Sequence, residues 1–308
     1  MKRPISVFLA ILFLLGCSPA ANAAGLAPVA ENLSCETYRN VPVSGLLEAI
    51  DPEGESVSFC IVREPTKGTV VVQEDGTFLY TPLDNKKGRD SFTYTAVDTE
   101  GNRSEEATVS ISISRRRLSL TYGDMTGNEH EYEALCLAEN GLFVGERIGE
   151  TAFFCPEAEV TRGEFLAMCM TVCGDTKAGA FSSSGFADDG EMASWVRPYV
   201  AAAAMAGLVK GYEQEEGNAV FAAESPITEA EASVLMSRVL EISDVSLKEE
   251  NAFAPAWAEQ AMTNLSVCGI PVTSTGSEAL TREKAAVLLV GAMKIWNQRS
   301  DHTLSWQS

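Results

Sequence analysis

The spacing of apolar residues changes twice along the chain. First, 5-ISVFLAILFLLG-16 is one unbroken apolar run behind Lys2 and Arg3. From residue 27 to 113 apolar residues alternate with polar ones, as in 57-VSFCIV-62, 77-TFLY-80, 91-SFTYTAV-97 and 108-TVSISI-113. Period two in segments rich in Val, Thr, Phe and Tyr predicts strands. Turn signals divide them: Asp51-Pro52-Glu53-Gly54, Glu74-Asp75-Gly76 and Asp98-Thr99-Glu100-Gly101-Asn102. About seven short strands without a helical stretch predict a β-sandwich over 27–113. From residue 119 to 296 the spacing becomes helical: Phe165, Met168, Cys169, then Ala232, Leu235, Met236, then Ala285, Leu288, Leu289. The expected fold is multidomain, an all-β sandwich followed by an all-α module.

The helical part repeats itself. The strings 159-EVTRGEFLAM-168, 226-PITEAEASVL-235 and 279-ALTREKAAVL-288 each start on a Thr. Upstream stand 141-GLFVG-145, 207-GLVKG-211 and 269-GIPVT-273. Trp195 and Trp257 lie 12 residues before Gly207 and Gly269, and the first repeat has Glu129 there. Thr161 with Glu164, and Thr228 with Glu231, form capping boxes, in which hydroxyl and carboxylate each take one free helix amide. Thr281 is followed by Lys284, so its box is broken, although Glu283 suits the positive helix start. Each repeat reads as helix, Gly-closed turn, loop and capped helix, a hairpin that needs neighbours to bury its face. The boundaries are 119–175, 184–243 and 250–296, the last lacking a counterpart of 212-YEQEEGNAVFAAES-225. A polar tail, 297–308, follows. Residues 114–118, with Arg115, Arg116 and Arg117, join the two parts as a solvated linker or by touching an acidic neighbour.

Composition narrows the function. A formal charge of −20 excludes holding nucleic acid or an anionic membrane surface by long-range attraction. The apolar run is too short for a full membrane span and reads as an export leader. Two exits are open: cleavage after Ala21-Asn22-Ala23, or lipidation at Cys17 in Leu14-Leu15-Gly16-Cys17, which resembles a bacterial lipobox. Seven cysteines remain without Cys17, so at least one thiol stays unpaired or pairs between chains. Cys35 and Cys60 are candidates for a bridge, although the alternation that turns Phe59 and Ile61 inward turns Cys60 outward. Cys169 and Cys173 lie on the buried face of a helix and read as packing residues. Only two histidines are present, His130 and His302, and no nucleophile–base set, phosphate loop or dinucleotide fingerprint can be assembled. A non-catalytic protein without a cofactor is expected. Asp51, Glu53, Glu55 and Asp98 are candidate Ca²⁺ ligands, set against ordinary turn chemistry for the same residues.

Particular motifs carry two resemblances. "APVAEN", "DPEGESVSF", "GTVVVQEDGTFLYTP" and "GRDSFTYTAVD" make 27–113 similar to bacterial Ig-like, cadherin-like modules, which implies a spacer or adhesive unit. "FADD" at 186, Trp195, "AGLVKGY" from 206, Phe221 and "PITEAEA" make 119–296 resemble S-layer homology (SLH) repeats. That resemblance implies three repeats about a pseudo-threefold axis, bound non-covalently to secondary cell-wall polysaccharide, often pyruvylated, on a bacterial surface. Arg162 and Arg282 match the family's motif arginine, Trp195 and Trp257 its aromatic position, and Asp188 its opening loop. An arginine there would meet a carboxylate, with free helix amides adding a second anion-binding element. Glu229 reverses the charge in the second repeat, Gly163 replaces Ala in the first, and Glu283 with Lys284 departs in the third. The other reading is a lipoprotein held through Cys17 whose repeats form a protein-binding scaffold.

Overall fold

The computed structural model describes residues 25–174, 183–214, 217–246, 254–273 and 275–305. The leader, with Cys17 and Ala23, lies outside the described residues.

The alternating segments fold into two facing sheets. One has the order β2 (Leu33–Tyr38), β9 (Ala107–Ser114), β8 (Gly88–Val97), β5 (Ser58–Arg63). The other runs β3 (Val43–Leu46), β7 (Thr77–Pro82), β6 (Gly68–Val72), while β1 (Val29–Ala30) pairs with β4 (Ala49–Ile50) at one end. Along β9 the pleat separates buried Val109, Ile111 and Ile113 from exposed Ser110, Ser112 and Ser114. Phe78 meets Phe92 edge-on at 5.4 Å in the core. The Tyr94 hydroxyl donates to the carbonyls of Glu31 and Glu48 and so fastens the β1 and β4 ends to β8. Cys35 and Cys60 stand on β2 and β5, the two outer strands of one sheet. Three strand spacings, about 14 Å, separate them, so the candidate bridge is not formed; a disulfide needs Cα atoms within about 7 Å.

Six helices follow among the described residues: α1 (Glu131–Glu139), α2 (Arg162–Val172), α3 (Arg197–Met205), α4 (Glu229–Val239), α5 (Glu259–Val267) and α6 (Arg282–Ser305). The region is not all-α. A hairpin of β10 (Glu146–Ile148) and β11 (Thr151–Phe153) joins α1 to α2, and one of β12 (Tyr212–Glu213) and β13 (Ala219–Val220) joins α3 to α4. The expected tail is not a tail either, since α6 runs on through Ser305.

The helices do not pack as hairpins within each repeat. Instead α3 packs on α2, α5 on α4 and α1 on α6, so each repeat's first helix lies against the preceding repeat's second helix, cyclically. The long α1–α2 and α3–α4 connections permit this exchange. At the centre the three Thr strings close on one another. Val160 N–H donates to the Leu280 carbonyl (2.9 Å), Leu280 N–H to Ile227 (2.8 Å) and Ile227 N–H to Val160 (3.0 Å). Their three side chains are buried at the axis of this ring.

The same rotation satisfies the helix starts. The N–H groups of Arg162 and Gly163 donate to the carbonyls of Ser225 and Ala223; those of Glu229 and Ala230 donate to Glu278 and Gly276; those of Arg282 and Glu283 donate to Ala158 and Pro156. Thr161 and Thr228 each take the next amide and complete their capping boxes. Thr281 takes the Lys284 amide at 3.4 Å without a returning carboxylate. Gly163 is required by space: a Cβ there would stand 2.7 Å from Val196 Cγ1 and 3.1 Å from the Ala223 carbonyl oxygen. At the next joint the sizes are exchanged, with Ala230 facing Gly276.

The arginine-rich join is clamped. Glu139 accepts the backbone N–H of Arg117 and Leu118 and pairs with the Arg117 guanidinium at 3.2 Å. Tyr38 of the sandwich packs, tilted by 45°, on Tyr132 of α1 at 5.2 Å. Arg117 thus contacts an acidic neighbour while staying 75% exposed, so the join is both solvated and paired.

Loss of a capping box costs about 1 kcal/mol, so Thr161→Ala and Thr228→Ala should each lower the urea midpoint measurably. Thr281→Ala, whose box lacks its carboxylate, should lower it less. Urea unfolding followed by circular dichroism checks the order.

Candidate functional site

Each capped helix begins with the residue at which the three strings differ: Arg162, Glu229 and Arg282. The ring carries each of these side chains to the loop of a different repeat.

Arg162 reaches the α3–α4 loop. Its guanidinium donates to the Phe221 carbonyl at 3.2 Å, lies 3.4 Å from Glu231, and is held between the rings of Tyr212 (4.8 Å) and Phe221 (5.0 Å). The side chain is only 11% exposed. Tyr212 donates its hydroxyl to Glu231. Burial, and then that hydrogen bond, pushes the Tyr212 phenol up to about 12, so it remains a donor through the neutral range. Beside these groups opens a cavity of about 360 Å³, walled also by Lys210, Arg238 and Trp257. Arg162 comes from the first repeat, Tyr212, Lys210, Glu231 and Arg238 from the second, and Trp257 from the third.

Arg282 makes the equivalent reach into the α1–α2 loop. It donates to the Phe154 carbonyl at 3.2 Å, lies over Phe143 at 4.9 Å and pairs with Glu146 at 3.1 Å. Phe154 and Phe221 correspond, so both arginines serve the same carbonyl position. Glu229 reaches the shortened third loop, where no such phenylalanine exists. It is 5% exposed, and it accepts the Thr273 N–H at 2.7 Å together with the Thr273 hydroxyl. The reversed charge therefore has a structural cause. Two loops present a carbonyl, which needs a donor; the third presents an N–H and a hydroxyl, which need an acceptor.

Trp195 and Trp257 are 54% and 62% exposed and so are not core residues. Asp188 has other work: its two oxygens accept the N–H groups of Phe221 (2.9 Å) and Ala222 (2.8 Å). Asp124 does the same for Phe154 and Cys155 in the first repeat. Both carboxylates hold the chain just before the Thr string. The expected free helix amides are absent, because the first three amides of each capped helix are taken by the neighbouring loop and by the Thr hydroxyl. Anion binding here would rest on side chains.

In the sandwich, Asp51 accepts the N–H of Glu53 and Glu55, and Asp98 accepts the N–H and side-chain amide of Asn102. Glu53 accepts the Leu26 N–H, and Glu55 the Thr99 hydroxyl. These are the bonds of turns and loop ends. Among the described residues no group of three His, Cys, Asp or Glu side chains is placed to hold a metal ion.

Tyr212, Lys210, Glu231 and Arg238 were not singled out as site residues. Tyr212 ends the "AGLVKGY" string and Glu231 closes the capping box, so both were visible as motif members. Their convergence on Arg162 was not, since it needs the rotation between repeats.

A family model described as a bacterial cadherin-like domain matches residues 26–115, and one described as an S-layer homology domain matches residues 185–233. Residues 26–115 are a bacterial cadherin-like domain, and residues 185–233 are an S-layer homology domain. A search of curated proteins finds no match. Among solved structures, human protocadherin-24 EC1-2 is similar at 20% identity over 29% of this chain and 52% of that one, TM-score 0.25. Drosophila N-cadherin EC1-3 is similar at 21% over 32% and 35%, TM-score 0.25. An endo-fucoidan hydrolase of glycoside hydrolase family 107 is similar at 15% over 34% and 17%, TM-score 0.25. The chain thus spans about half or less of each of these, and at that likeness none speaks to its activity. Both matched domains are of non-catalytic kinds; the SLH domain suggests surface anchoring and the cadherin-like domain adhesion. Among the described residues no helix is long and apolar enough to cross a membrane.

The donor–acceptor match at Thr273 yields a prediction for the SLH region. Glu229→Arg, which restores the motif arginine, should lower stability by about 3 kcal/mol by burying a cation against two donors. Thermal unfolding of that variant beside Glu229→Gln, which keeps one acceptor and should lose less, checks it.

Proposed function

We propose that this chain is a non-catalytic, exported surface protein of a bacterium whose helical region consists of three SLH repeats that bind cell-wall polysaccharide. The cadherin-like domain, fixed to the repeats through Glu139 and Tyr132, is then the displayed spacer or adhesive unit. The repeats would span 119–175, 184–243 and 250–296. The observation that carries this reading is the convergence of Arg162 and Trp257, from different repeats, on one cavity with Lys210 and Arg238. A buried guanidinium meets a carboxylate with two parallel bonds, and an exposed indole offers a flat apolar face for a sugar ring. Such pairing suits an acidic saccharide, a pyruvate ketal among them. Arg282 and Trp195 hold the corresponding positions elsewhere in the ring. The local cations matter because salt screens charges beyond about 8 Å at physiological ionic strength, so the −20 net charge does not bar a nearby anion. No cofactor enters this role.

Co-sedimentation with purified bacterial cell walls tests it. The wild-type chain should sediment with the walls, and Arg162→Ala plus Arg282→Ala should weaken retention more than about tenfold, the loss expected for a desolvated charge pair. Equal retention of the double variant and the wild type would remove the arginines from the site.

A further inference from the structure

Resting on the polysaccharide reading above, we infer that the ring carries one working acidic-saccharide site, the Arg162 groove, and that Glu146 closes the Arg282 groove as an internal stand-in for the ligand's carboxylate. The surroundings of Arg162 and Arg282 correspond under the rotation that relates the repeats, so they can be compared position by position. Tyr212 and Glu146 occupy the same place in their hairpins: Tyr212 pairs with Val220, just before Phe221, and Glu146 pairs with Phe153, just before Phe154. The position that gives the Arg162 groove a neutral aromatic wall therefore gives the Arg282 groove an anion. That anion lies 3.1 Å from the guanidinium. A carboxylate arriving from solution would have to displace it.

Two further exchanges point the same way. Lys210 in 207-GLVKG-211 corresponds to Val144 in 141-GLFVG-145, and Arg238, ten residues after Thr228, corresponds to Thr171, ten after Thr161. Lys210 and Arg238 line the Arg162 cavity and are exposed at its rim. Val144 and Thr171 supply no charge. The Arg162 site thus sets three cations against Glu231, whose oxygens, 3.4 Å from Arg162, already accept the Thr228 N–H and the Tyr212 hydroxyl, whereas at Arg282 the Glu146 carboxylate lies 3.1 Å from a single cation. The third groove starts from Glu229, whose carboxylate is already bound to Thr273. One site of the three remains open to an anion. Its depth and rim both carry cations, which fits a saccharide with an acid group at Arg162 and a second negative group toward Lys210 and Arg238.

Titration calorimetry with a methyl glycoside carrying a 4,6-linked pyruvate ketal, run beside wall co-sedimentation, tests this on the full chain. The wild type should bind one equivalent. Glu146→Gln removes the internal carboxylate at a side chain that is 59% exposed, so folding should be kept, and the stoichiometry should rise to two. Adding Arg282→Ala to Glu146→Gln should return it to one. Lys210→Ser with Arg238→Ser, at exposed positions, should weaken binding about tenfold, whether read on the glycoside or on walls. Two equivalents on the wild type, one equivalent on Glu146→Gln, or unchanged affinity in the Lys210/Arg238 variant would overturn the one-site inference and leave the polysaccharide reading standing. Failure of wild type and Glu146→Gln to hold either walls or glycoside would overturn the polysaccharide reading itself, and this inference with it.

Discussion

Three backbone hydrogen bonds, from Val160 to Leu280, Leu280 to Ile227 and Ile227 to Val160, hold the helical region in register. Each is an ordinary amide–carbonyl bond, worth about 1 kcal/mol on its own. Their effect comes from closure. The bonded groups are buried at an axis, where an unmade bond leaves a desolvated amide or carbonyl without water to replace its partner. Once the three strings meet, each helix start is delivered to the carbonyls of the neighbouring loop, and each first helix to the preceding second helix. The contact of α1 with α6 completes the circle, joining the earliest and latest helices of the region. A single repeat cannot reproduce this arrangement, because its two helices do not pack on each other.

Closure also decides what the site can be made of. A helix start is commonly an anion site because its first amides lack partners. Here those amides are spent on the neighbour's carbonyls and on the Thr hydroxyls. Any affinity for an anion must come from the side chain at the first helical position and from whatever the next loop brings to it. The chain therefore varies its grooves by changing side chains and loop length while the ring stays constant. Glu229 and the shortened third loop are one such coupled change: without the phenylalanine carbonyl, an arginine would lose its acceptor and Thr273 would lose its own.

Much of the architecture was legible in the sequence because the physics is local. Alternation along 108-TVSISI-113 fixes which side chains enter the sandwich, and the Thr161–Glu164 and Thr228–Glu231 spacings mark helix starts to the residue. Cys169 and Cys173 could be placed in the core from helical spacing alone, and both are buried. The failures are non-local. Cys35 and Cys60 resembled a pair until strand order set them on opposite edges. The exchanged packing of the helices leaves no trace in their periodicity. Charge at 229 read as a lost ligand contact, although its cause is a loop more than forty residues away, at Thr273. Residues 297–305 looked like part of a tail by composition, yet they continue α6, which packs on α1 and α2.

The exposure of Trp195 and Trp257 gains meaning from the same geometry. Each stands in the turn two residues before the helix that packs on the preceding repeat's capped helix. The residue after each tryptophan does the packing instead: Val196 lies against Gly163, and Ala258 shares a buried cluster with Ala230 and Met262. An indole left in water costs the favourable free energy of burying a large aromatic surface, about 25 cal/mol per Å². The fold spends that energy at two related positions and keeps small residues next to them. The pattern leaves two flat apolar faces in solvent, and one of them, Trp257, lines the same cavity as Arg162.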